Sequence, residues 1–202
     1  MNPFGPAALT GLIALLLCGS PCHGLTLRFI PTVGSRHSIG NPIELGWGVE
    51  LTYTFDHSGA WAGLHYSLTN GKAEYLDKGF NIHDTNERIG LSGGREWLLG
   101  NAWIVQTGVH ADLLIMRRSM IGNPSSWAAT YNAHGLGCGL SGRLIRRMGE
   151  LTAISLGLYP GHSFVFQQEF HPSTANGSRP IENAPYLGFS LGLVLQLASA
   201  ER

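Results

Sequence analysis

The sequence predicts an all-β fold, a closed antiparallel barrel of eight strands. Three observations predict it. Period-two alternation of apolar with polar or small side chains dominates the chain beyond residue 24, the signature of a sheet with one apolar face. No stretch there reads as an amphipathic helix or as an apolar span of transmembrane length. The connections between candidate strands alternate long and short, which suits an even-stranded barrel with both termini at one end.

The strands follow in order. Segment 25–33 sets Leu25, Leu27, Phe29 and Val33 against Thr26, Arg28 and Thr32. Segment 44–55 is the most regular, with Leu45, Trp47, Val49, Leu51, Tyr53 and Phe55 on one face and Glu44, Glu50, two glycines and two threonines on the other. In 61–69, Leu64, Tyr66 and Leu68 oppose Gly63, His65, Ser67 and Thr69. Segment 88–99 is the least regular, because Arg95 falls in phase with Ile89, Leu91 and Trp97. Segment 102–115 places Trp103, Val105, Val109 and Leu113 opposite Gln106, Gly108, His110 and Asp112. In 134–146, Leu136, Cys138, Leu140 and Leu144 alternate with glycines, Ser141 and Arg143. The seventh strand, 151–170, carries a Tyr159-Pro160-Gly161 run that predicts a bend or bulge. The last, 186–197, sets Leu187, Phe189, Leu191, Leu193, Leu195 and Leu197 against Gly188, Ser190, Gly192, Val194 and Gln196. Segments 71–87, 118–132 and 171–184 are the long connections and 35–43 a medium one, whereas 56–60, 100–101 and 148–150 are tight turns.

Composition narrows the class. A chain of 202 residues fits one domain, and 13% charged against 44% hydrophobic residues is apolar for a protein whose surface meets water. Thirteen basic and 13 acidic residues leave a formal charge of zero, so the basic footprint that a phosphate backbone requires is missing and no nucleic-acid partner is expected. Residues 1–24 carry no charged side chain and hold the apolar run Leu9 to Leu17 ahead of small, turn-forming residues. They are expected to be a signal peptide, with residues 25–202 forming the barrel domain. Cys18 and Cys22 would leave with the signal, and the remaining Cys138 has no disulfide partner.

Export and an apolar sheet face together point to a membrane barrel, whose apolar side chains face lipid and whose interior holds small and polar groups. Arg28, Glu44, Glu50, His65, His110, Asp112 and Arg143 are then expected inside, where buried ions must pair. His134 is also a candidate for the lumen. Phe55, Trp61, Trp97 and Trp103 are expected to form an interfacial belt beside the short turns, with Tyr186, Phe189, Trp47 and Phe166 forming the opposite one. Trp127 and Tyr131 are candidates for surface contact beside an external connection.

This architecture resembles the small Gram-negative outer-membrane β-barrels, the class of the OmpA transmembrane domain and OmpX-type proteins. The resemblance spans residues 25–197 and implies an outer-membrane location, short periplasmic turns and longer external loops. It implies outer-membrane lipids and lipopolysaccharide as partners, with an envelope or extracellular protein at the loops, and a non-enzymatic structural, adhesion or interaction role. A narrower stretch, Phe170-His171-Pro172-Ser173-Thr174-Ala175-Asn176 followed by Arg179-Pro180-Ile181-Glu182-Asn183, is similar to the active-site region of PagL-type lipid A deacylases. That resemblance implies His171 as base, Ser173 as nucleophile and Glu182 as the acid orienting the imidazole, with adjacent Glu169 as another candidate acid. The alternative reading of the same residues is a polar external loop. A third reading, a soluble periplasmic barrel, needs the Leu-rich faces to line a cavity for an apolar ligand. Nine histidines form no metal-binding motif, and no cofactor is expected.

Overall fold

The computed structural model describes residues 24–36, 43–55, 59–75, 80–122, 128–172 and 181–199. They form a closed antiparallel barrel in sequential order, β1-β2-β3-β4-β5-β6-β7-β8. The strands are β1 Gly24–Arg36, β2 Ile43–Thr54, β3 Ala60–Tyr75, β4 Phe80–Leu99, β5 Trp103–Gly122, β6 Ala128–Arg147, β7 Thr152–Pro172 and β8 Ala184–Ser199. Closure comes from β1 pairing with β8, Leu27 opposite Leu195 and Val33 opposite Phe189. A closed ladder leaves no edge strand around its waist. The predicted signal segment lies outside the described residues apart from Gly24, and no described helix is long and apolar enough to cross a membrane.

Alternation decides which way each side chain points. Leu45, Leu140, Leu191 and Phe166 are exposed on the outer surface, whereas Glu44, Glu50, Asp112 and Arg143 are buried inside. Among the described residues the exposed leucines of these faces thus point away from the lumen, opposite to what the soluble ligand-binding alternative needs. Arg95 stands outward and exposed between the short turn and the apolar girdle.

The ladders run farther than the apolar pattern predicts. β3 and β4 pair through Tyr75 and Phe80, and β5 and β6 through Ile121 and Ala128, deep into segments read from the sequence as connections. Outside the girdle the exterior becomes polar: Asn70, Thr85, Arg117, Asn132 and Glu169 share one row of the ladder. Main-chain pairing needs no apolar alternation to continue, so periodicity stops marking the strand where its outer face leaves the girdle. The irregularity expected at Pro160 is present as a break in pairing, and a second one lies elsewhere. Pairing of β7 with β6 is interrupted between Leu158 and Gly161 but stays in register, and the one-residue slip occurs opposite His134/Gly135.

The lumen is filled by its own side chains. Near the short turns Ile145, Ala153 and Val194 cluster with Ile104. Toward the opposite end Ile82, Leu114, Met116, Met120 and Tyr131 form a larger apolar core, joined by Ile181 from the β7–β8 connection. Tyr131 is buried there, stacked on Phe170 at 4.7 Å between ring centroids, so it is a core residue and not the surface contact expected of it. Trp127 lies outside the described residues.

Tight turns depend on two glycines in the left-handed region, Gly59 at φ 62° and Gly100 at φ 67°. An added Cβ at Gly100 would meet nothing within 4 Å, which makes this position a clean test of backbone strain. Gly100→Ala is expected to cost about 1–2 kcal/mol, and Gly142→Ala, equally uncrowded but without positive φ, much less. Equilibrium urea unfolding of both variants in the same detergent checks the difference.

Candidate functional site

Between the two apolar plugs lies a band of buried charge and hydroxyl groups. Glu50, from β2, accepts from Arg143 Nη2 of β6 at 2.6 Å and from Ser92 Oγ of β4 at 3.1 Å. The same guanidinium donates from Nε to Tyr159 Oη at 3.1 Å and lies 4.8 Å from the centroid of Trp61. Asp112, from β5, is 2.7 Å from His65 Nε2 of β3 and 3.8 Å from Arg88 of β4. His110 Nε2 bonds to the Tyr186 hydroxyl, and the Arg88 guanidinium covers the Tyr186 ring at 4.3 Å. Farther along, Glu44 accepts from Thr69 Oγ1 at 2.6 Å and from Asn86 Nδ2. Asp84 and Arg118 form a two-pronged pair at 2.8 and 2.6 Å.

Glycines make room for this band. A Cβ on Gly63 would come within 3.0 Å of both the Glu50 carboxylate and Ser92 Oγ, and one on Gly161 would strike the Tyr186 ring. A small cavity of about 90 Å³ remains among Glu44, Glu50, His65, Arg88, Asp112 and Tyr186. At roughly 10–15 Å³ per molecule it accommodates about six to nine waters. Apolar clusters lie on either side of the band, Ile82, Leu114 and Met116 among them toward one end and Ile145, Ala153 and Val194 at the other. Among those residues no three His, Cys, Asp or Glu side chains converge as a metal site.

Six of the seven ionisable residues expected inside are there: Glu44, Glu50, His65, His110, Asp112 and Arg143. The side chain of the seventh, Arg28, lies outside the described set. Three assignments are corrected. Trp61 and Tyr186 are buried at 2% and 5% exposure and belong to the lumen, because each falls in phase with the small, polar residues of its own strand. His134 is exposed on the outer surface, in phase with Leu136. Phe55, Trp97 and Trp103 remain exposed near the short turns, while Trp47, Phe166 and Phe189 are exposed elsewhere on the exterior.

The His171 region is brought together only in part. The register slip in β7 reverses its parity, so His171 points outward with Glu169, their side chains 3.8 Å apart and well exposed. Glu182 is exposed on the connection to β8, and Ser173 lies outside the described residues. No hydrogen-bonded His–acid pair is formed by the described part. The outward direction of His171 depends on a bulge that strict alternation from the start of β7 misses.

No protein-family model and no curated protein sequence matches the chain. Solved structures do match its shape. A major outer membrane protein from Thermus thermophilus superposes with a TM-score of 0.63 at 12% identity, covering 87% of this chain and 100% of the other. The fold is that of an outer-membrane β-barrel. Neisserial surface protein A aligns at TM-score 0.51 and 13% identity, covering 86% of this chain and 96% of that one. Ail, the attachment invasion locus protein of Yersinia pestis, aligns at 0.51 and 8%, covering 86% and 97%.

The Glu50–Arg143 pair can be tested directly. Arg143→Met is expected to destabilise the barrel by about 3–5 kcal/mol. Glu50→Gln combined with Arg143→Met should cost less than the sum of the two single changes. Urea titrations of the three variants read out this coupling, which strict additivity would refute.

Proposed function

We propose that the protein resides in the outer membrane of a Gram-negative bacterium and serves a non-enzymatic structural, adhesion or interaction role there. The observation that carries this reading is the inside-out side-chain arrangement. Large apolar residues of β2 and of β4 through β8 are exposed on the exterior, and their burial in lipid is the favourable alternative to contact with water. A barrel of eight strands is narrow enough to be filled by its own side chains, which argues against bulk transport. That leaves the outer surface, facing lipid and lipopolysaccharide, and the polar exterior beyond the girdle, where Arg117, Asn132 and Glu169 stand, as the surfaces available to an envelope or extracellular protein.

A second reading is favoured by one observation. An esterase acting on lipid A needs its base turned toward the bilayer, and the β7 bulge turns His171 outward. In that reading Ser173 attacks the ester, His171 takes its proton, and Glu182 or Glu169 orients the imidazole.

Membrane fractionation with heat-dependent gel mobility, followed by conductance recording in planar bilayers, tests the first reading. A folded outer-membrane species without sustained conductance is expected, and Leu191→Arg should reduce folding by about 2–4 kcal/mol if this position lies near the bilayer midplane. Recovery as a stable water-soluble protein would overturn it. Mass spectrometry of lipid A from cells carrying wild type or Ser173→Ala separates the readings: loss of an acyl chain with wild type alone establishes the esterase, and unchanged lipid A supports the non-enzymatic role.

A further inference from the structure

The two ends of the barrel exterior carry different balances of charge. Beside the short turns, Arg95, Arg146 and Arg147 are exposed, and Glu150 is the one exposed carboxylate among the described side chains there. Glu96, in the same region, turns to the inner face, where it accepts from Gln106 Nε2 at 3.0 Å. Beyond the girdle at the other end, Lys72 and Arg117 share the surface with Glu74, Glu87 and Glu169. Among the described exterior side chains, permanent cations outnumber carboxylates only beside the short turns.

The ladder places these arginines in one narrow band of height. A row that leaves β3 at Ala60 passes Arg95, Thr107 and Gly142 and, after a full circuit, returns to β3 at Asn70. Rows therefore climb away from the short turns as they run from β3 toward β8. Points of equal height lie nearer the short turns on each successive strand, so Arg95 on β4 is level with positions on β6 beyond Gly142, toward Arg146. Trp97 and Trp103 complete the band. Arg146 lies opposite Trp103 in the ladder, its guanidinium 5.4 Å from the ring centroid, and both tryptophans are exposed. Leu98, Leu99 and Met148, at the turns themselves, are exposed as well.

Guanidinium and indole groups in one band, with apolar turns below them, match an amphiphile whose anionic head joins an apolar body. A guanidinium donates in a planar fork that fits phosphate oxygens, and indoles settle where acyl chains meet headgroups. The arginines are interleaved with exposed apolar side chains such as Leu144 and Ile154, which a phospholipid covers with its acyl chains while its phosphate meets the cations. We propose that this band binds the headgroups of anionic phospholipid in the leaflet that faces the short turns. The inference rests on the membrane location proposed above. Basic side chains at a membrane surface attract anionic lipid, so the band sets how deep the short-turn end sits.

The test uses the full-length barrel reconstituted in phosphatidylcholine, with a trace of phosphatidylglycerol or phosphatidylcholine carrying a nitroxide on its acyl chain. The motionally restricted component of the spectrum measures lipid held at the protein surface. It should be several-fold larger for phosphatidylglycerol, and should shrink toward the phosphatidylcholine value as added salt screens the charges. Arg95→Gln, Arg146→Gln and Arg147→Gln together should erase the preference, whereas Arg117→Gln, at the other end, should leave it. Arg146→Gln alone should reduce it and serves if the triple variant does not fold. Equal restricted components for the two lipids, or a preference lost with Arg117→Gln and kept in the triple variant, would overturn the proposal and leave the membrane location standing. A folded barrel that restricts neither lipid would overturn both.

Discussion

Everything in this molecule depends on a ladder that closes on itself. Once β1 pairs with β8, the strands satisfy one another's main-chain groups around the whole waist, and the chain can present apolar side chains outward without exposing an unpaired edge. The same closure confines alternate residues to a narrow lumen. Ionisable groups sent there must find partners within the barrel, because each unpaired ion would cost several kcal/mol. Glu50 with Arg143, Asp84 with Arg118, and Asp112 with His65 and Arg88 are the result.

These pairs link strands that are distant in sequence. Arg143 and Glu50 are 93 residues apart, and His110 reaches Tyr186 across 76. The polar band thus cross-braces the cylinder between its apolar plugs. Under the proposed non-enzymatic role, the apolar girdle and the polar surface beyond it are the faces left for partners.

Much of this is legible in the sequence because period two is unambiguous where one face is apolar. Leu187 through Leu197 and Leu45 through Phe55 assign the outer face, and the same parity sends Glu44, Glu50, Asp112 and Arg143 inward. Trp61 and Tyr186 depart from the interfacial belts expected of them because parity outranks aromatic character near a strand end; their own strands place them with Gly63 and Gly188. Tyr131 departs for a different reason, since its segment loses apolar alternation on the outside and looks like a connection. The inner apolar core of Ile82, Met116 and Met120 is hidden by the same change. His171 cannot be oriented from the sequence, because a one-residue bulge carries no distinctive residue and Pro160 does not mark it. How His171, Ser173 and Glu182 relate is not a matter of strand parity at all, because two of them lie on the connection beyond β7.

Contact between the Leu-rich face and lipid is what the proposed membrane location requires. Nitroxide labels placed singly at positions 187–195 of β8 in the bilayer-reconstituted barrel, with collision rates to oxygen and to a water-soluble nickel chelate, measure it most directly. High oxygen access is expected at Leu187, Phe189, Leu191, Leu193 and Leu195, and low access at Gly188, Ser190, Gly192 and Val194. Absence of this two-residue period, or oxygen access at the even positions with the odd ones shielded, would contradict it.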